Sequence, residues 1–170
     1  MLSLRPATAT DIPLIRRLCF AVWPQTYAPM LPAAQIDFML DWMYSPAALA
    51  AQLAEGVQYV IVSEAAEPVG YTAWRYSGDV CLLEKLYVLQ SQQGKGRGRA
   101  LVAHVVAAAA AAGCTAVRLQ VNKRNPARVF YERLGFVIAE EKTTLIGPGF
   151  VMDDYVMQLT LLPAPAPQND

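Results

Sequence analysis

A glycine-rich segment between a predicted strand and a predicted helix limits the folds that this chain can adopt. Its sequence is Gln93-Gly94-Lys95-Gly96-Arg97-Gly98. Glycines let a ligand approach the backbone closely, and the start of the next helix presents unpaired N–H groups and the positive end of its dipole. The segment therefore predicts an anion site suited to a pyrophosphate, to which Lys95, Arg97 and Arg99 add positive charge.

Two familiar phosphate-binding loops do not match this segment. A P-loop requires Gly-Lys-Ser/Thr, whereas Lys95 is followed by Gly96. A dinucleotide-binding fingerprint requires a small residue where this chain has Arg99. Taken alone, the segment fits a plain tight turn as well as it fits a ligand site.

The hydrophobic pattern predicts a mixed order of helices and strands. Helices are predicted early in the chain, where Pro24 is expected to end the first of them, and Ser45-Pro46 to begin the third. A hairpin is predicted at 59–74, followed by strand 81–89, helix 99–112, strand 115–121, helix 126–134 and strands 136–145 and 155–161. This order predicts an α/β fold in a single domain over 1–162, followed by a flexible C-terminal tail at 163–170.

Composition excludes several classes of partner. The 170 residues carry 14 basic and 14 acidic side chains, so the basic excess typical of proteins that bind nucleic acid or anionic membranes is absent. No long apolar run predicts a membrane span or a signal peptide, so a cytoplasmic location is expected. Three cysteines without metal-ligand spacing predict small buried side chains and no metal site.

Two motifs in the second half of the chain carry a family resemblance. Gln93-x-x-Gly96-x-Gly98 resembles the acetyl-CoA motif of the GNAT superfamily of N-acetyltransferases. Asn125-Pro126-Ala127-Arg128-Val129-Phe130-Tyr131-Glu132-Arg133-Leu134-Gly135-Phe136 resembles the second coenzyme A motif of that family. The two stand in the family's order, and the resemblance covers residues 81–136.

The resemblance implies a GNAT fold, with a mixed, mostly antiparallel sheet of six to seven strands and flanking helices. It implies that strands four and five splay apart to admit acetyl-CoA as cosubstrate, with no metal. Backbone groups of Leu86 and Val88 would bind the pantetheine arm, with Asn125 as a further contact. Tyr131 resembles the family tyrosine that faces the coenzyme A sulfur as general acid. Many relatives are dimers, so the resemblance also makes a homodimer possible.

Glu84 is the predicted general base. An aliphatic amine has a pKa of about 10 and must lose a proton before it attacks the thioester. Glu84 interrupts an apolar strand four residues before Val88, so alternation predicts that both side chains share one face. The sequence therefore favours proton transfer to Glu84 through water, and a solvated charge at the strand end remains the alternative.

The acceptor is the least constrained part of the hypothesis. Its pocket is predicted to draw on the early aromatic region, with Trp23, Tyr27, Met30, Phe38, Trp42 and Tyr44 as candidates. A polyamine or another small amine is the first hypothesis, because several carboxylates fall in the same segments: Asp37, Asp41, Glu84, Asp153 and Asp154. The arrangement Leu83-Glu84-Lys85-Leu86-Tyr87, together with Tyr27 and the predicted helix 33–43, more weakly resembles bacterial spermidine/spermine acetyltransferases. A protein N-terminus or lysine as acceptor, and a non-catalytic acyl-CoA-binding regulator, stay open.

Overall fold

A computed structural model describes residues 1–162 as a seven-stranded sheet with helices on both faces. The predicted tail at 163–170 lies outside the described residues. The strands are β1 (Leu2–Pro6), β2 (Gln58–Glu64), β3 (Glu67–Ser77), β4 (Val80–Val88), β5 (Ala116–Asn122), β6 (Val137–Gly147) and β7 (Phe150–Thr160). The helices are α1 (Ile12–Tyr27), α2 (Ala33–Tyr44), α3 (Pro46–Ala54), α4 (Arg97–Ala111) and α5 (Ala127–Arg133).

The sheet has the strand order β1-β2-β3-β4-β5-β7-β6. Only β4 and β5 pair in parallel, and every other neighbouring pair of described strands is antiparallel. The crossover between the two parallel strands is α4, which follows the glycine-rich segment. The predicted fold, a mixed and mostly antiparallel sheet with flanking helices, is confirmed.

Two hydrophobic clusters cover the two faces of the sheet. On the face of α1, α2 and α3, which we call the acceptor face, the core includes Ile15, Trp23, Tyr44, Tyr59 and Tyr71. On the face of α4 and α5, which we call the cofactor face, the core includes Leu83, Val88, Leu101, Tyr131 and Phe136. Side chains of β4 and β7 alternate between the two clusters, so each of these strands contributes to both faces.

Helix α1 is longer than predicted. Pro24 was expected to end it, but the helix continues to Tyr27, and the N–H of Ala28 still donates to the Pro24 carbonyl at 3.0 Å. Trp23 is buried, and its ring lies 4.5 Å from that of Tyr27 one turn later. Packing of these two rings in the core offsets the loss of one helical hydrogen bond at proline.

The predicted start of α3 and the predicted burial of the cysteines are confirmed. The Ser45 hydroxyl accepts a hydrogen bond from the N–H of Ala48 at 3.2 Å, and Pro46 is the first residue of α3. All three cysteines are buried thiols. Within residues 1–162, no helix has the length and apolarity needed to cross a membrane. In the same range no group of three or more His, Cys, Asp or Glu side chains is arranged to hold a metal.

Candidate active site

The candidate site is a cleft where β4 and β5 separate. The two strands pair only from Val80–Leu83 to Ala116–Leu119, although β4 continues to Val88 and β5 to Asn122. The predicted splay is therefore present at the carboxyl ends of the parallel strands. The cleft has a volume of about 850 Å³ and reaches from α1 on one face to α4 and α5 on the other. It is large enough for an extended ligand arm.

The open edge of β4 faces this cleft with unpaired backbone groups. The N–H of Leu89 donates to Val69 on β3 at 2.8 Å, so alternation directs the backbone of Tyr87 toward β3 as well. The N–H and C=O groups of Leu86 and Val88 therefore point into the cleft. Within residues 1–162, the Val88 carbonyl accepts a hydrogen bond from the Gln93 side chain at 3.1 Å. This edge can pair with an amide-containing chain as a further strand would.

The glycine-rich segment forms the mouth of the cleft at the start of α4. Gly94 and Gly96 have φ angles of +73° and +82°, in the left-handed region that disfavours other residues. Gly96 is the N-cap of α4, so the helix begins two residues earlier than predicted. At Gly98 a Cβ atom would lie 3.2 Å from Cζ of Phe130, which also lines the cleft. Backbone N–H groups of the first turn are left for an anion.

The basic side chains of this segment do not all act as predicted. Arg99 lines the cleft, but Lys95 and Arg97 do not. Arg97 is buried, and its guanidinium forms an ion pair with Glu64 at the end of β2 at 2.9 Å. The prediction that the Arg97 side chain adds charge at the anion site is therefore wrong, because the first turn of α4 directs that side chain toward β2. Its backbone N–H remains at the helix start.

Three tyrosines from three different elements meet around the cleft. Tyr27, Tyr87 and Tyr131 all line it, and the hydroxyl groups of Tyr27 and Tyr87 are hydrogen-bonded at 2.9 Å. Burial raises the pKa of Tyr131 well above its usual value of 10.0, and the neighbouring Tyr27 raises it further. Tyr131 therefore keeps its proton at neutral pH, as a general acid must.

Asn125 precedes α5 at the wall of the cleft. Its side-chain oxygen accepts a hydrogen bond from the N–H of Ala127 at 2.9 Å, so part of the side chain stabilises the start of α5. The predicted coenzyme A contact at Asn125 stays a prediction.

Glu84 lies in the cleft but not on the predicted face. The pairing of β4 with β3 skips it, because Ala73 is opposite Lys85 and Trp74 is opposite Leu83. Glu84 is therefore the extra residue of a β-bulge, and it forms an ion pair with Arg75. The bulge breaks the alternation that predicted a shared face with Val88, so this prediction is wrong. Glu84 instead lies beside Lys85 toward the acceptor face.

Lys85 is a buried cation on the acceptor face that the sequence did not single out. Only 7% of the residue is exposed, and Nζ donates to Oε1 of Gln52 at 2.7 Å. Nζ also lies 5.5 Å and 5.3 Å from the ring centroids of Tyr44 and Tyr59. Burial lowers the pKa of Lys85 to about 8, and the negative charge of Glu84 partly offsets this.

Contacts of the α1–α2 loop with the turn after β5, and of α2 with β7, cover the cleft on the acceptor face, and we call these contacts the roof. Arg124, in the turn after β5, donates to the carbonyls of Pro29 and Met30 in the α1–α2 loop, both at 3.0 Å. On the neighbouring side, the Gln35 side chain of α2 donates to the Val151 carbonyl of β7 at 2.9 Å. Arg124 was not predicted, since no local pattern shows that its partners lie more than ninety residues away.

The residues predicted to form the acceptor pocket separate into four groups. Tyr27 and Met30 line the cleft. Trp23 and Tyr44 are buried core residues next to it, and Trp42 is exposed on α2. Phe38 packs against the β6–β7 turn: its ring lies 5.4 Å from that of Phe150, and a Cβ atom on Gly147 would lie only 2.6 Å from its Cζ. The turn at 147–150 is therefore a packed part of the roof.

Comparisons with known proteins agree with this geometry. Residues 55–138 match the family model of the acetyltransferase (GNAT) domain. The fold is similar to that of the PaiA N-acetyltransferase from Thermoplasma acidophilum in complex with coenzyme A, with a TM-score of 0.83 and 17% identity over 95% of this chain and 99% of that chain. No curated protein matches the sequence.

Two further solved structures are similar. The ribosomal-protein-S18-alanine N-acetyltransferase from Escherichia coli has a TM-score of 0.73 and 19% identity, over 100% of this chain and 99% of that chain. YncA from Salmonella typhimurium, solved with its cofactor acetyl-CoA, has a TM-score of 0.63 and 22% identity, over 98% of both chains. At these identities the likeness shows the fold.

Proposed function

We propose that this chain, in which residues 55–138 match the acetyltransferase (GNAT) domain model, transfers the acetyl group of acetyl-CoA to the primary amine of a small molecule. The observation that carries the proposal is the cleft itself, in which the open edge of β4 leads to the glycine-rich start of α4. The N–H groups at that helix start suit the pyrophosphate. The backbone groups of Leu86 and Val88 suit the amides of the pantetheine arm, and the N–H of Val88 would stabilise negative charge that develops on the thioester oxygen.

Tyr131 is the proposed general acid. The nitrogen lone pair of the amine forms the new C–N bond, the C–S bond breaks, and the Tyr131 hydroxyl gives its proton to the departing sulfur. Its place in the wall of the cleft supports this role, and its raised pKa keeps the proton on the hydroxyl until the sulfur leaves. The ring is fixed between Phe130 and Phe136, with centroid distances of 5.1 Å and 5.7 Å, so the hydroxyl is held in one position.

Glu84 remains the proposed general base, acting through water on the proton that the amine loses. Its position at the bulge places it in the cleft wall toward the acceptor face. Arg75 holds the carboxylate from one side. The Glu84→Gln variant should lower the rate most at acidic pH, where little of the amine is unprotonated. A variant with wild-type rates from pH 6 to 9 would remove Glu84 from the mechanism.

The roof supports a small acceptor over a polypeptide. A peptide reaching the cleft needs an open groove between the α1–α2 loop and the β6–β7 hairpin. Here Arg124 links that loop to the end of β5 by hydrogen bonds. Gln35 of α2 donates a hydrogen bond to β7, and Phe38 of α2 packs on Phe150 at the β6–β7 turn. An acceptor that fits beneath these contacts is short and narrow.

The test is coenzyme A release with a panel of amines, together with acetyl-CoA titration by calorimetry. The Gly98→Val variant should lose acetyl-CoA affinity by at least about a hundredfold, because its side chain crowds Phe130 and blocks approach to the start of α4. Ala103→Val on the exposed side of the same helix is the matched control and should bind as the wild type does. Unchanged affinity in a folded Gly98→Val protein would exclude the site. Acetylation of peptides in preference to small amines would overturn the acceptor class.

A further inference from the structure

Arg97 is a buried cation inside the exposed glycine-rich segment. Only 9% of the residue is exposed, whereas the three residues before it, Gly94, Lys95 and Gly96, are all exposed. Its guanidinium forms an ion pair with Glu64 at 2.9 Å and donates to the carbonyl oxygen of Lys95 at 3.3 Å. One side chain of the segment is therefore fixed to the sheet, while the backbone around it lies at the mouth of the cleft.

The stability of the fold does not account for this ion pair. Arg97 Nε is sealed from solvent and has no hydrogen-bond acceptor among residues 1–162. A buried guanidinium with an unsatisfied N–H group costs free energy, and apolar side chains in place of a buried ion pair are often as stable or more so. Glu64 is partly exposed, and its other oxygen lies 3.1 Å from the fully exposed amine of Met1. The buried position of Arg97 is therefore better explained by what the side chain holds in place.

The residues on either side of Arg97 line the cleft. They are Gly96, which is the N-cap of α4 with a φ angle of +82°, and Gly98. Glycine has more backbone freedom than any other residue, so a segment with three glycines does not keep its conformation by local preference. Backbone N–H groups bind an anion where several of them converge on it. A side chain anchored between two of these glycines restricts the backbone where the N–H groups must converge.

Glu64 lies at a well-fixed point of the sheet. It is the last residue of β2 and is paired with Glu67, the first residue of β3. The two residues between them, Ala65 and Ala66, have φ angles of +48° and +69°, which are uncommon for alanine and match the twist of a tight hairpin turn. Such a backbone persists only where its surroundings fix it, so the end of β2 gives Arg97 a fixed partner.

On the basis of the proposed function, we propose that Glu64 and Arg97 are positioning residues for acetyl-CoA. Their ion pair holds the start of α4 against the end of β2, so that the N–H groups around Gly96 and Gly98 are arranged for the pyrophosphate before it binds. This preorganisation lowers the cost of binding, because the backbone is already ordered. Neither Glu64 nor Arg97 lines the cleft. The ion pair should therefore affect binding of the pyrophosphate and leave binding of the thioester end unchanged.

Replacement of Glu64 by alanine separates positioning from simple electrostatics. If charge alone matters, removing a negative charge near an anion site should tighten acetyl-CoA binding. Loss of the anchor should instead weaken it, and we expect the calorimetric Kd of Glu64→Ala to rise about tenfold, as for the loss of one charge-assisted hydrogen bond. Glu67→Ala is the matched control, because Glu67 carries the same charge at the other end of the same turn and is exposed. Its Kd should stay within about twofold of the wild-type value.

S-acetylpantetheine, which lacks the pyrophosphate, tests which end of the cosubstrate is affected. In Glu64→Ala the KM of S-acetylpantetheine should stay within about twofold of wild type, while the KM of acetyl-CoA rises about tenfold. A general loss of structure would raise both values. Arg97→Lys is a second variant, which keeps the positive charge but loses the planar fork that binds Glu64 and the Lys95 carbonyl together. It should also weaken acetyl-CoA binding.

Tighter or unchanged acetyl-CoA binding in a folded Glu64→Ala protein would overturn the proposal. If that variant does not fold, wild-type affinity in Arg97→Lys would overturn it. An equal rise in the KM of S-acetylpantetheine would do the same, because it would make the ion pair a general support of the fold. Weaker acetyl-CoA binding in both variants, in a protein that acetylates no amine, would keep the positioning pair and overturn the proposed function instead.

Discussion

Replacing Asp154 by asparagine should stabilise the protein at neutral pH. Burial, and then the charge of Asp153, raises the pKa of Asp154 from 3.8 to about 6 in the folded chain. Each unit between the folded and unfolded pKa corresponds to about 1.4 kcal/mol, so ionisation of Asp154 lowers the free energy of unfolding by at most about 3 kcal/mol, and by less to the extent that water screens the carboxylate. The folded state binds the proton more tightly, so this loss develops as pH rises from about 4 to 6 and is complete above.

The assay is urea unfolding of the wild type and Asp154→Asn from pH 4.5 to 8. The variant should be more stable by about 1–3 kcal/mol at pH 8, since the buried amide offsets part of the gain, and this difference should be smaller by up to about 2 kcal/mol at pH 4.5. Asp153→Asn should show no comparable trend, because that carboxylate is exposed and paired with Lys123. An Asp154→Asn protein that is less stable at pH 8, or a difference independent of pH, would refute the reasoning.

Three further changes test other parts of the site. Burial lowers the pKa of Lys85 to about 8, so the wild-type free energy of unfolding should rise between pH 8 and 10.5, where the folded chain no longer carries this buried charge. Lys85→Met should abolish this rise, and urea unfolding at pH 8 and pH 10 measures it. Tyr131→Phe should lower kcat about a hundredfold and leave the calorimetric affinity for acetyl-CoA almost unchanged, as expected for a group that acts only when sulfur leaves. Arg124→Ala removes two hydrogen bonds to the α1–α2 loop, so it should raise the KM of the amine about tenfold and change the KM of acetyl-CoA little. Steady-state kinetics with each substrate varied measures both values. Equal effects on the two KM values would contradict the proposed roof.

Local signals were enough to predict most of the fold. The three glycines between a strand and a helix predicted the mouth of the cleft, and Ser45-Pro46 predicted the start of α3. These signals are local because glycine conformation and helix capping depend on a few adjacent residues. Pro24 shows the limit of such signals, since buried aromatic packing of α1 keeps the helix intact past it.

Side-chain direction was harder to predict than element type. Strand alternation predicted that Glu84 shares the face of Val88, but one extra residue in β4 opposite the Ala73–Trp74 step reverses the direction of every side chain beyond it. Likewise, the position of Arg97 in the glycine-rich segment gave no indication that Glu64 is close. Both depend on pairing between distant strands, which a single local sequence window does not contain.

The acceptor face contains two buried charges of opposite sign that do not pair with each other. Lys85 lies on β4, where its hydrogen-bond acceptor is the neutral Gln52, and Asp154 lies on β7, on the other side of the cleft and of β5. Burial favours the neutral form of both groups, raising the pKa of Asp154 and lowering that of Lys85. The free energy of unfolding therefore falls from about pH 4 to 6 as Asp154 ionises, and it recovers only from about pH 8 to 10.5 as Lys85 loses its charge. Together these two groups destabilise the folded chain most between pH 6 and 8. A sheet built for stability alone would hold apolar side chains at both positions. On β4 the charge of Lys85 is partly balanced by the neighbouring Glu84, whereas on β7 the charge of Asp153 adds to the cost of ionising Asp154, so the two groups differ in what offsets their burial.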